Sequence, residues 1–175
     1  MSGLFKNKYR IASARLQSSD YGSEGMYFVT ICTRDRKHYF GNVRNGEIQL
    51  SEIGEIAWNE WNKSPGLRPD MNLELGDFVV MTNHMHGILI IGSNKFNDAT
   101  IYPKNQFGPQ RKNLASVIRG YKSAVTTYAR KNNIPFDWQS RFHDHIIRSM
   151  DEYRRISKYI VDNPRKWNED NFYFI

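Results

Sequence analysis

Three short apolar runs constrain the fold of this chain more than any other feature: Met26 to Thr33 (MYFVTICT), Phe78 to Thr82 (FVVMT) and Met85 to Ile91 (MHGILII). They are dense in aromatic and β-branched side chains and stop at polar residues, the pattern of strands buried in a sheet. None approaches the ~20 apolar residues that span a bilayer, so no membrane partner is expected. Only Asn83 and His84 separate the second run from the third, which predicts adjacent antiparallel strands. Phe142 to Arg148 (FHDHIIR) reads as a fourth strand.

The segments between these runs carry helical periodicity. Ser51 can cap a helix whose first turn holds Glu52 and Glu55, with Ile53, Ile56, Ala57 and Trp61 on one face, ending before Pro65. A second helix places Leu114, Ile118, Tyr121, Val125 and Tyr128 on an apolar stripe and Arg119, Lys122, Thr126 and Arg130 on a basic one. A third opens with Ser149 and Glu152 at capping-box spacing, turns Tyr153, Ile156 and Ile160 inward, and stops at Pro164. The order strand, helix, strand, strand, helix, strand, helix predicts an α+β, ferredoxin-like (RRM-like) antiparallel sheet with helices on one face plus a C-terminal helix.

At 175 residues, one domain over 1–175 is expected, with no internal repeat. Residues 1–25 read as a basic arm whose Lys6, Lys8, Arg10 and Arg15 can reach phosphate, and residues 92–112 as a long loop. Lys and Arg number 25 against 18 acidic residues, a net charge of +7 that favours a polyanionic partner, nucleic acid first. The single cysteine, Cys32, lies in an apolar run and fits a core position in a reducing compartment. The N-terminus does not resemble a signal peptide, and a cytoplasmic location is expected.

Strand geometry turns alternate side chains to one face, so His84 and His86 project together while Met85 points into the core. Two imidazoles make half a metal site, although a hydrogen-bonded pair at a strand edge accounts for His-Met-His equally well. On the last helix, Tyr159 and Asn163 are four apart and share a face. The Asn163 carbonyl can add an oxygen donor, leaving positions for phosphate oxygens and water, an open site suited to Lewis-acid chemistry. On helix spacing alone, a core tyrosine with its hydroxyl at the surface is the better account of Tyr159. Tyr121 and Tyr128 compete as nucleophiles but fit the apolar stripe, and Trp138 and Phe142 can either stack on bases or pack. A second His-x-His, His143 and His145, allows a four-histidine site that would leave Tyr159 and Asn163 without a role.

The segments FVVMTNHMHGILII, WQSRFHDHIIR, EYRRI and KYIVDNP, in this order, resemble the REP-associated tyrosine transposases, a branch of the single-tyrosine HUH (IS200-like) transposases. The resemblance implies a ferredoxin-like fold, with His84, His86 and Asn163 as ligands of Mg²⁺ or Mn²⁺ and Tyr159 as nucleophile. The implied reaction is cleavage and strand transfer of single-stranded, hairpin-forming DNA through a 5′-phosphotyrosine. Candidate DNA contacts are Arg119, Lys122 and Arg130 on the second helix and Arg154, Arg155 and Lys158 on the third. The chain departs from the family at Ser140, where proline is usual, and after Pro164, where it reads RKWNED. A non-catalytic nucleic-acid-binding protein is the competing function, since ferredoxin-like sheets with basic helices also bind RNA. The sequence leaves open whether a homodimer forms and which subunit's metal would serve Tyr159.

Overall fold

The computed structural model describes residues 22–97 and 111–173, so most of the expected arm over 1–25 and the centre of the 92–112 loop lie outside the described residues. Within them, the strands are β1 (Gly25–Cys32), β2 (Gly41–Arg44), β3 (Glu47–Leu50), β4 (Leu73–Val80), β5 (His84–Ile91) and β6 (His143–Ile147). The helices are α1 (Glu52–Asn62), α2 (Leu114–Lys131) and α3 (Met150–Asp162). A four-stranded sheet in the order β4-β5-β1-β6 is antiparallel at every pairing, the strand order of a ferredoxin-like fold.

Each helix starts where the capping chemistry points. Ser51 accepts from the Gly54 amide and Asn113 from the Ser116 amide. Ser149 accepts from the Glu152 amide, but Glu152 accepts from the Arg148 amide rather than that of Ser149. The reciprocal bond of the expected capping box thus moves one residue outward and ties the end of β6 to the start of α3.

The sheet has two different faces. Tyr27, Val29, Ile31, Met85, Leu89 and Ile91 point to one side and pack with Ile53, Ala57 and Trp61 of α1 and Val117, Ile118, Tyr121 and Val125 of α2. The other side carries a small cluster in which Ile156 and Ile160 of α3 meet Ile88 and Ile147, with Phe28, Val79 and Ile90 around them. Gly87 serves the larger face: a Cβ there would approach the Trp61 ring to 2.9 Å, so only glycine lets that indole lie against β5.

Two elements differ from the sequence reading. β2 and β3 form a separate hairpin turned by Asn45 and Gly46, both at positive φ. Asn-Gly is the residue pair such a turn favours, so the signal was present in NVRNGEIQ. β4 begins at Leu73 rather than Phe78, because an irregularity between Leu75 and Phe78 restores pairing to β5. Gly76 in that break has Tyr153 and Ile88 where a Cβ would stand, which brings α3 close to the sheet. No helix among the described residues is long and apolar enough to cross a membrane.

Candidate functional site

The face under α3 holds buried polar groups that an apolar core would not retain without use. His84 and His86 are both buried, and their ring centroids are 4.5 Å apart. The strand register explains the pairing, since Cys32 lies opposite His84 and Thr30 opposite His86 on the neighbouring strand. The Nδ1 of His86 is 2.8 Å from Thr30 Oγ1, and the Nδ1 of His84 is 2.8 Å from Asn83 Oδ1.

Asn83 settles the His84 tautomer. Its Nδ2 donates to the carbonyls of Arg36 and Phe172, so its Oδ1 must accept, and His84 Nδ1 carries the proton. The lone pair of His84 is then on Nε2, which is buried without a hydrogen-bond partner. Burial lowers the pKa of both rings, His86 to about 3, and for His84 the neighbouring His86 and Arg36 act in the same direction. Both rings are therefore neutral near pH 7, the state in which imidazole binds a metal.

Tyr159 comes to this pair from α3. Its hydroxyl is 3.1 Å from His86 Nε2, within one chain, while the residue stays 44% exposed. Burial raises its pKa to about 12, with Asp170 adding to the rise and the Asn163 hydrogen bond opposing it. Asn163 keeps helical dihedrals (φ −57, ψ −43) although Pro164 follows, so the four-residue spacing from Tyr159 holds. Its Nδ2 donates to Asp170 at 2.8 Å, and its Oδ1 is buried without a partner.

The residues after α3 complete the site, and sequence spacing did not point to them. A short 3₁₀ turn, Trp167–Glu169, brings Asp170 and Phe172 back over the histidines. A carboxylate oxygen of Asp170 and one nitrogen from each of His84 and His86 lie within 4.8 Å of one another. The Phe172 ring packs 4.5 Å from His84 on one side and 4.1 Å from the Arg36 guanidinium carbon on the other. Two imidazole nitrogens and a carboxylate form a donor set that fits a divalent metal.

An open cleft of about 320 Å³ leads to Tyr159 and is lined by Arg155, Lys158, Asn163, Lys166 and Asp170. Arg155 and Lys158 line it in exposed ion pairs with Glu152 and Asp162. Such pairs exchange for phosphate at little cost. Arg154 pairs with Asp151 on the exposed side of the same helix.

The second group of expected contacts is elsewhere. Arg119, Lys122 and Arg130 belong to α2, which packs on the face of the sheet away from α3. Lys122 donates to the Gln139 carbonyl and lies over the Trp138 ring, and burial lowers its pKa to about 8. Tyr121 is buried in the core, Tyr128 donates to Glu52, and Trp138 is buried with its indole N–H on the Lys122 carbonyl. His145 is bound to Glu152, and no four-histidine cluster forms among the described residues.

No protein-family model matches the chain. A Haemophilus influenzae protein of uncharacterised function is 36% identical over 168 residues, covering 92% of each chain. The solved structure of a REP-associated tyrosine transposase bound to a REP hairpin superposes with a TM-score of 0.59, at 22% identity, over 90% of this chain and 74% of that one. At that identity and coverage, the chain belongs to the family of the Haemophilus influenzae protein, and its fold is that of the REP-associated tyrosine transposase.

Proposed function

We propose that this chain cleaves and transfers single-stranded, hairpin-forming DNA through a covalent bond to Tyr159. The observation that carries the reading is the approach of the Tyr159 hydroxyl to His86 Nε2 at 3.1 Å, beside the unpartnered Nε2 of His84. A binding module needs no such convergence of a nucleophile with two neutral, oriented imidazoles. The shared fold with a transposase bound to a REP hairpin supports the same substrate class here.

In this reading Tyr159 Oη bonds to the scissile phosphorus, and the bond to the 3′-oxygen breaks. The products are a 5′-phosphotyrosine and a free 3′-hydroxyl: the tyrosine gives its proton to water, and the leaving 3′-oxygen takes one from water. A second strand's 3′-oxygen reverses the step and regenerates the tyrosine. His84 and His86, with oxygens of Asn163 and Asp170, would hold Mn²⁺ or Mg²⁺, which withdraws charge from the phosphate and favours the phenolate. Two imidazoles favour Mn²⁺ of the two. Arg155, Lys158 and Lys166 position the incoming backbone, and Asp170 orients the Asn163 amide.

The test is incubation of the purified protein with labelled hairpin oligonucleotides and Mn²⁺, followed by mass spectrometry of the digested product. An adduct on Tyr159 is expected. Tyr159→Phe, which keeps the ring, should bind DNA as before and lose the adduct by about a thousandfold or more. An adduct that maps to another residue, or tight binding with no adduct in the wild-type chain, would overturn the proposal; the second result would establish a binding module.

A further inference from the structure

A second cavity, of about 400 Å³, is formed where the turn after β1 meets the segment before β6, and its walls are Arg34, Asp35, Arg36, Gln139 and Ser140. That is room for one nucleotide. We propose that this cavity reads a single base next to the phosphate attacked by Tyr159, a proposal that rests on the cleavage reading above.

Three observations point there. The first is position: Asn83, which orients His84, also donates to the Arg36 carbonyl, and the Arg36 guanidinium lies on the Phe172 ring that covers His84. The cavity wall is therefore tied to the metal-ligand pair through Asn83 and Phe172. The second is chemistry. Gln139 has its backbone amide on the Cys32 carbonyl and its own carbonyl on Lys122, while its side-chain amide makes no hydrogen bond among the described residues. A pinned backbone with a free amide, offering donor and acceptor together, is how glutamine recognises a base edge. Arg34 is held only by an exposed pair with Asp137, so its guanidinium is available to a neighbouring phosphate.

The third observation is strain. Asp35 and Arg36 are consecutive non-glycine residues in the left-handed region, both at φ 54. Such backbone persists only where its surroundings hold it. Thr33 provides that hold: its amide bonds the Asn83 carbonyl, and its hydroxyl is within reach of the Asn83 and Lys37 carbonyls. The turn is built in one shape with its side chains around an open cavity. Lys122, expected from the sequence to touch DNA, acts here as a positioning residue for Gln139.

A binding selection separates this proposal from the cleavage reading. Hairpin oligonucleotides with randomised single-stranded flanks are selected on Tyr159→Phe, which cannot cleave, and on the same protein carrying Gln139→Ala or Gln139→Glu, and the bound fractions are sequenced. Tyr159→Phe should prefer one base at one flanking position. Gln139→Ala should erase that preference alone, with roughly a tenfold loss of affinity for the preferred sequence. Gln139→Glu, which keeps the shape and removes the donor, should change the preferred base. Identical preference at every position in all three proteins, or no preference in the parent, would overturn the subsite. Absence of a wild-type adduct beside a Gln139-dependent preference would overturn the cleavage reading and not the subsite.

Discussion

The two faces of the sheet are built from the same strands to opposite ends. Towards α1 and α2 every inward side chain of β1 and β5 packs in an apolar core, Met85 among them. Towards α3, one residue either side of Met85, the same strand buries two imidazoles, one with a ring nitrogen that bonds nothing. The first face removes apolar area from water, and the second holds polar groups in a dry place at a cost in stability. Adjacent positions of one strand can therefore answer to different demands, because pleating sends them to different environments.

The two faces should differ most in metal binding. His86→Ala should abolish measurable Mn²⁺ binding in a calorimetric titration, whereas Met85→Ala, next to it, should keep the affinity within a few fold. Comparable losses in both would mean that the faces are not independent.

Stability should show the reverse order. Met85→Ala opens a cavity in the larger core and should cost about 2–5 kcal/mol in urea unfolding. His84→Ala in metal-free protein should cost less than half as much, since it also removes a buried nitrogen whose lack of a partner costs about 1–3 kcal/mol. An equal or larger loss at His84 would show that the α3 face is a stabilising core after all.

The pH dependence follows from the same burial. His86 is held near 3 in the folded chain against 6.5 when exposed, so between these values the unfolded chain binds the extra proton. Stability of the chelator-treated protein should be full above about pH 6.5 and fall as pH drops, by at most about 1.4 kcal/mol per unit for each such histidine. His86→Ala should flatten that slope in denaturation series at stepped pH, and an unchanged slope would assign it to other groups.

The smallest expected effect is at Asn83. Asn83→Ala keeps both imidazoles but frees the His84 tautomer, and Mn²⁺ affinity should fall about 10–100-fold. No change would mean that packing against Phe172, rather than Asn83, orients the ring.

Much of this arrangement was legible in the chain because it depends on local geometry. The period of two puts His84 and His86 on one face whatever surrounds them, and the helical period puts Tyr159 beside Asn163. The apolar runs and caps likewise located the four strands of the main sheet and all three helices, with β4 starting earlier than expected. The Asn45-Gly46 hairpin was readable but falls on short, half-polar strands that carry little hydrophobic signal.

What only the tertiary structure decided is which local faces meet. α2 presents a basic stripe as clearly as α3 does, yet the crossover places it on the far side of the sheet from Tyr159, and Lys122 is committed to Gln139. Asp170 and Phe172 follow no period relative to the histidines and reach them only because the chain turns back after α3. Periodicity is set by backbone sterics within a few residues. The closing of a site from distant segments depends on how whole elements pack, which no local pattern encodes.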